Sequence, residues 1–238
     1  MPYAMSSGVK LYYEEAGSGT PLLFAHEFGG DLRSWEPQLR FFARRYRCIA
    51  FNARGWPPSD VPTEPELNTE DHAARDIAAV LQHVGAAKAH IVGLSMGAHA
   101  ALLAGIRTPE LALSVTIAGL GYGADPDTRE QFERDTTAFA ERFETLGTPE
   151  AIQPYAINPY RVQFQNKDPR GWEEFRRQFE GHSAAGSAAA LRGVTLRRTR
   201  VPELESELRR LATPLLVITG DEDSPCLAPS LFIKTVCP

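Results

Sequence analysis

The chain has 238 residues, 43% of them hydrophobic, a formal net charge of −5 and a sequence pI near 5.7. That is enough to bury the core of one α/β domain with an inserted lid. No long basic stripe runs through it, which argues against nucleic acid or an anionic membrane as partner.

No segment approaches the length of a membrane span, and MPYAMSSGVK at the N-terminus has no apolar signal core, so the expected address is the cytoplasm. Cys48, Cys226 and Cys237 form neither a disulfide framework nor a metal-ligand spacing, and no cofactor or metal is expected.

In chain order, residues 3–5 and 9–14 predict a hairpin around Ser6-Ser7-Gly8, with Val9, Leu11 and Tyr13 alternating as in a half-buried strand. Residues 22–25 form a short apolar run of the kind found inside a parallel sheet. His26-Glu27-Phe28-Gly29-Gly30 follows at once, then a helix over 35–45, a buried strand over 48–51 and a proline-rich loop. Thr69 is placed to cap a helix whose apolar stripe is Ile77, Val80, Leu81 and Val84 and which Gly85 ends. After a strand and an alanine-rich helix around Ser95, Thr108-Pro109 stops that helix and 113–118 is the next strand.

The strand–helix rhythm then breaks. Residues 122–210 contain no clear buried strand, and Phe132, Phe139, Phe143 and Leu146, then Trp172, Phe175 and Phe179, recur at helical spacing. These aromatics are expected to pack the lid itself. AAGSAAA at 184–190 is helix or loop, and the basic run at 192–200 is expected to be a solvated helical face. Leu204, Leu208 and Leu211 lead back to a strand at 214–219, followed by Gly220-Asp221-Glu222-Asp223. The predicted organisation is a core of residues 1–121 and 211–238 with a helical cap at 122–210.

The strand, turn and helix around Gly93-Leu94-Ser95-Met96-Gly97 match the G-x-S-x-G nucleophile elbow, although five-residue patterns also arise by chance. A serine on so tight a turn has strained backbone angles, and side chains at Gly93 or Gly97 would collide with the neighbouring strand and helix. The turn lifts the Ser95 hydroxyl off the sheet and puts the Met96 N–H at a helix N-terminus, where it can face an oxyanion.

With HEFGG at 26–30, NARGWPPSD at 52–60, GLSMG at 93–97 and GDED at 220–223 in this order, nearly the whole chain resembles the α/β-hydrolase superfamily. It looks most like the small serine esterases, lactonases and carbon–carbon-bond hydrolases. The resemblance implies a mostly parallel sheet with a helical cap insertion. It also implies Ser95 as nucleophile, the Met96 and Phe28 N–H groups as oxyanion hole, and Asp223 as triad acid, with Asp221 a near competitor whose other role is to cap the turn.

Three departures stand out. Relatives usually carry glycine where Glu27 stands, so its side chain is expected to narrow the pocket or change the loop. Relatives often carry Asp where Asn52 stands, implying a weakened structural contact. In this fold the triad histidine follows the acid, and none follows Asp223. The resemblance therefore implies a C-terminally truncated form without its last strand and helix, with a raw edge along 215–219 open to a homodimer.

Among the other histidines, His26 is expected to brace the oxyanion loop and His90 to pack in the fold. His99 is expected to point away from Ser95, His72 and His83 to lie on an outer helix, and His182 to be exposed on the lid, the alternative being that it reaches the pocket. Two functions follow. One is a serine hydrolase of a small ester, lactone or related acyl compound, impaired by the missing base; the other is a non-catalytic, ligand-binding or truncated member of the fold. Relatives that open epoxides or remove halogen use Asp where Ser95 stands, which disfavours those chemistries.

Overall fold

The computed structural model describes residues 2–121, 123 and 126–238. The chain opens with the expected hairpin, β1 (Tyr3–Ser6) and β2 (Val9–Ala16). Its turn is built from Ser7 and Gly8, both at positive φ (49° and 82°), the hand that matches strand twist. Then come β3 (Thr20–Ala25), a 3₁₀ turn at Leu32–Trp35, α1 (Glu36–Phe42) and β4 (Tyr46–Phe51). The helix expected at 35–45 is thus shorter: Trp35 belongs to a 3₁₀ turn capped by buried Asp31, and the helix ends at Phe42. Helix α2 (Glu70–His83) is capped by Thr69, whose Oγ1 accepts from the His72 N–H. β5 (Ala89–Leu94), α3 (Met96–Arg107) and β6 (Ala112–Ala118) complete the first half.

The sheet order is β1-β2-β4-β3-β5-β6-β7. β1, β2 and β4 pair antiparallel; β4, β3, β5, β6 and β7 (Leu215–Ile218) run parallel. The chain leaves β3 toward one edge, to β4, and later returns past it to β5. The β3/β5 boundary is therefore the point where the winding direction reverses, and loops leaving the carboxyl ends there flank a natural crevice. Leu23, Ile49, Ile91, Val115 and Ile117 face a core shared with α2 and α3, while Leu22, Phe24, Cys48 and Ala50 face Trp35 and Leu39 on the other side.

Between β6 and β7 the described residues are helical: α4 (Arg129–Leu146), α5 (Thr148–Ala151), α6 (Gln153–Ala156), α7 (Pro159–Lys167), α8 (Pro169–Glu180), α9 (Ala184–Ala190) and α10 (Glu205–Leu208). The boundary expected at Tyr122, and Ala124 and Asp125 beside it, lie outside the described residues. The run at 192–200 is not a helical face. It opens as a π turn (Leu191–Thr195) and continues irregularly, with Arg192 paired to Glu144 and Arg200 to Glu203. α11 (Ser224–Val236) packs Ile233 and Val236 into the main core. β7 is an edge strand; Leu216 and Ile218, on the sheet face opposite α11, are 56% and 50% exposed.

Behind the site, Arg54 and Asp76 form a buried bidentate pair (2.8 and 2.6 Å) that ties α2 to the segment carrying Trp56. Burial pushes the Asp76 carboxyl up, and the Arg54 hydrogen bonds oppose that. Asp76→Ala leaves a guanidinium buried without its counter-charge. It should cost about 3–5 kcal/mol of unfolding free energy, read from urea denaturation. A loss within the scatter of surface substitutions would show that water or Leu67 compensates.

Candidate active site

Ser95 occupies the turn between β5 and α3 at φ 52°, ψ −109°. A side chain here costs of order 1–3 kcal/mol and persists only where the surroundings over-determine it. The surroundings do. The Ser95 N–H donates to the Ala118 carbonyl at 2.8 Å, and its own carbonyl accepts from the His99 N–H at 3.1 Å. A Cβ on Gly93 would lie 2.1 Å from the Gly97 oxygen, and one on Gly97 would lie 2.3 Å from the Ala25 oxygen. No side chain fits at either position, so the expected collisions are real, and both are with backbone. Met96 is the first residue of α3, so its N–H has no partner within the helix.

Residues 26–31 leave the end of β3 beside Gly97. His26 is buried and fully engaged: Nδ1–H donates to the Glu27 carbonyl at 2.7 Å and Nε2 accepts from the Ala53 N–H at 3.0 Å. It braces the loop as expected. Asn52 is also fully used, accepting from Leu32 N–H (2.9 Å) and donating to the Pro57 carbonyl (2.7 Å). The bond to the Pro57 carbonyl needs the amide N–H, which an aspartate at this position would lack.

Asp223 stands at the N-terminal boundary of α11, makes no side-chain capping bond and is half-buried, while Asp221 is exposed. The Asp223 Oδ2 lies 3.4 Å from where a Cβ on Gly119 would sit. Gly119 follows Ala118, the residue whose carbonyl holds Ser95. Ser95 and Asp223 are thus brought to the same end of β6.

None of the six histidines bonds to Ser95 or Asp223 among the described residues. His72 bonds to Thr69, His90 to Ser114, His99 to Glu70, and the His83 ring packs edge-on against Tyr13. His182 requires a correction. It is not exposed on the insertion but buried, with Nε2 3.2 Å from Asp31 Oδ2 and Nδ1 without a partner. Burial works to raise the Asp31 carboxyl, but hydrogen bonds from His182 and Arg33 outweigh it and hold the group well below the usual carboxylate range.

Phe28 and Met96 both turn their side chains into the insertion. Phe28 meets Trp56, Phe139, Phe143, Tyr155 and Phe179 with centroids 5.8–6.0 Å apart, mostly edge-to-face. The insertion's aromatics therefore do more than pack one another: they enclose a residue of the β3 loop. A cavity of about 30 Å³ lies behind Met96, between Ala25, Trp56, Ala100 and Val194. Glu27 pairs with Arg161 of α7. Asp31, Tyr155 and Arg161 escape the sequence reading; the one hint was a charged residue at Glu27, where a partner had to exist.

The sequence profile described as alpha/beta hydrolase fold matches residues 20–225. The chain belongs to the α/β-hydrolase family. Over 169 residues it is 35% identical to RutD of Azorhizobium caulinodans, named as a carbamate hydrolase, covering 70% of this chain and 61% of that one. It is 25% identical to 3-oxoadipate enol-lactonase 1 of Acinetobacter baylyi over 202 residues, 85% of this chain and 71% of that one. A thermophilic esterase from Thermogutta terrifontis superposes with a TM-score of 0.83 at 25% identity, covering all of this chain and 86% of the other. The chain thus spans about three-fifths of the carbamate hydrolase's length.

Burial, only partly offset by the hydrogen bond to the Glu27 carbonyl, holds the His26 imidazole down at about 4. Unfolded, it titrates near 6.5, so between those values the unfolded chain takes up a proton the native chain refuses. The native state keeps this contribution in full above about pH 6.5 and loses it, by about 3 kcal/mol, as pH falls to 4. Urea midpoints from pH 7.5 to 4.5 should fall for the parent chain and fall less for His26→Gln; equal slopes would remove His26 as the cause.

Proposed function

We propose that this α/β-hydrolase is a serine hydrolase acting on a small carboxylic ester, lactone or related acyl compound. The observation that carries the proposal is Ser95 in the left-handed region between β5 and α3, its N–H bonded to the end of β6 beside Asp223. Ser95 Oγ attacks the acyl carbon, and the carbonyl oxygen becomes an oxyanion held by the Met96 and Phe28 N–H groups. The leaving alcohol departs with a proton, and water then releases the acid from the acyl-serine. Asp223 is the proposed acid of the triad, and the insertion acts as a cap. The relatives named for carbamate, enol-lactone and ester substrates share acyl-carbon chemistry, which supports the class without choosing the substrate.

Because each histidine is held by another partner, none is assigned as base, and turnover by the 238-residue chain is proposed to be slow. In serine proteases, loss of a triad member leaves roughly 10³–10⁴-fold enhancement over water from the oxyanion hole and binding. A phosphonylating probe read by intact mass should add one adduct to the parent chain and none to Ser95→Ala, and a chromogenic acetate should be hydrolysed detectably by the parent alone. Equal labelling of both proteins would reject Ser95 as nucleophile. Labelling with no hydrolysis would favour the non-catalytic alternative, and fast hydrolysis lost in His182→Ala would make His182 the base.

A further inference from the structure

Residues 27–30 have no regular secondary structure, and the backbone hydrogen bond described within them is Gly30 N–H to the Glu27 carbonyl, at 3.2 Å. Their position is set from outside. Asn52 and His26 hold the two flanks to the core. The middle is held by the insertion. The Phe28 ring sits among its aromatics. Gly29 packs so closely that a Cβ there would lie 3.1 Å from Tyr155 Cε1 and 3.2 Å from Phe175 Cε2. Glu27 reaches Arg161.

Arg161 joins these contacts into one unit. Its guanidinium forms a two-pronged pair with Glu27, and Nη2–H donates to Tyr155 Oη at 2.7 Å. Its Cζ lies 4.4 Å from the Tyr155 ring centre and 4.8 Å from that of Phe175, the same two rings that press on Gly29. The charged side chains are only 16% and 13% exposed, so water and salt screen the pair little. A planar fork that both pairs with a carboxylate and stacks on rings suits arginine and not lysine.

We propose that Arg161 is a positioning residue for the oxyanion loop, setting the Phe28 N–H through Glu27, Tyr155 and Phe175. The proposal rests on the serine-hydrolase function above. Arg161 does not touch the reacting atoms; it works by fixing where a donor points. Closing the insertion over the core and completing the oxyanion hole are then one event. A donor displaced by a fraction of an ångström keeps substrate binding and loses transition-state stabilisation, so the effect falls on kcat rather than KM.

The test uses Glu27→Gln, Arg161→Gln, Arg161→Lys and the double variant Glu27→Gln/Arg161→Gln, with three readouts. These are the rate of Ser95 phosphonylation, kcat and KM on the chromogenic acetate, and amide hydrogen exchange over residues 24–32. Each single glutamine variant should slow phosphonylation and kcat roughly 10-fold or more with KM within about twofold, and should speed exchange in the loop. The lysine variant should fall between parent and glutamine. The double variant removes both buried charges, so its Tm should return toward the parent while its rate stays low; a purely structural pair would recover both together. Parent-like rates in either single variant, or recovery of the rate in the double variant, would overturn the proposal. If the parent chain does not label at Ser95, the serine-hydrolase function fails by itself, and unchanged exchange over 24–32 then decides against the positioning role.

Discussion

The whole site depends on one backbone approach: Gly93 against Gly97, and Gly97 against the end of β3. With 2.1 and 2.3 Å between a hypothetical Cβ and a carbonyl oxygen, these contacts leave no room for any side chain. They press the first turn of α3 onto the end of β3 and force Ser95 into the left-handed region. That strain is balanced by the Ala118 hydrogen bond and by a close-packed core on both faces of the sheet. The same approach brings the start of α3 beside residues 26–28, so two elements far apart in the chain share one crevice at the β3/β5 boundary.

Around that rigid centre, the β3 loop is built differently. Its flanks are secured by core residues, with His26 bonded at both ring nitrogens and Asn52 at both amide atoms. Its middle is secured by the insertion, through an ion pair, a ring cluster and a close glycine contact. His182 adds a fourth attachment at Asp31, buried beside Trp56 and Phe179. A helical insertion that merely covered the crevice would not need such contacts. Here it supplies part of the scaffold of the loop itself, which makes its sequence as consequential for geometry as for the shape of the pocket.

Much of this was readable from the residues. The hairpin at Ser7-Gly8, the Thr69 cap, the buried runs at 22–25 and 48–51 and the elbow at Ser95 all rest on local rules: φ preference, capping, and period-two or helical spacing. The Asn52 contacts were not readable in the same way, because counting donors requires knowing that the Pro57 carbonyl lies opposite its amide.

What the sequence determined by itself was the fold and the elbow, since both are written in patterns spanning fewer than about fifteen residues and in the order of those patterns. What only the tertiary structure decided was who meets whom across long separations: Glu27 with Arg161, Asp31 with His182, Phe28 with rings from α4, α6 and α8. A charged residue announces that it needs a partner but carries no address. A histidine on a helical insertion looks exposed until the insertion folds down on the loop and shuts water out. Burial is a property of the assembled surfaces, and it turned Arg161 and His182 from ordinary polar residues into structural ones.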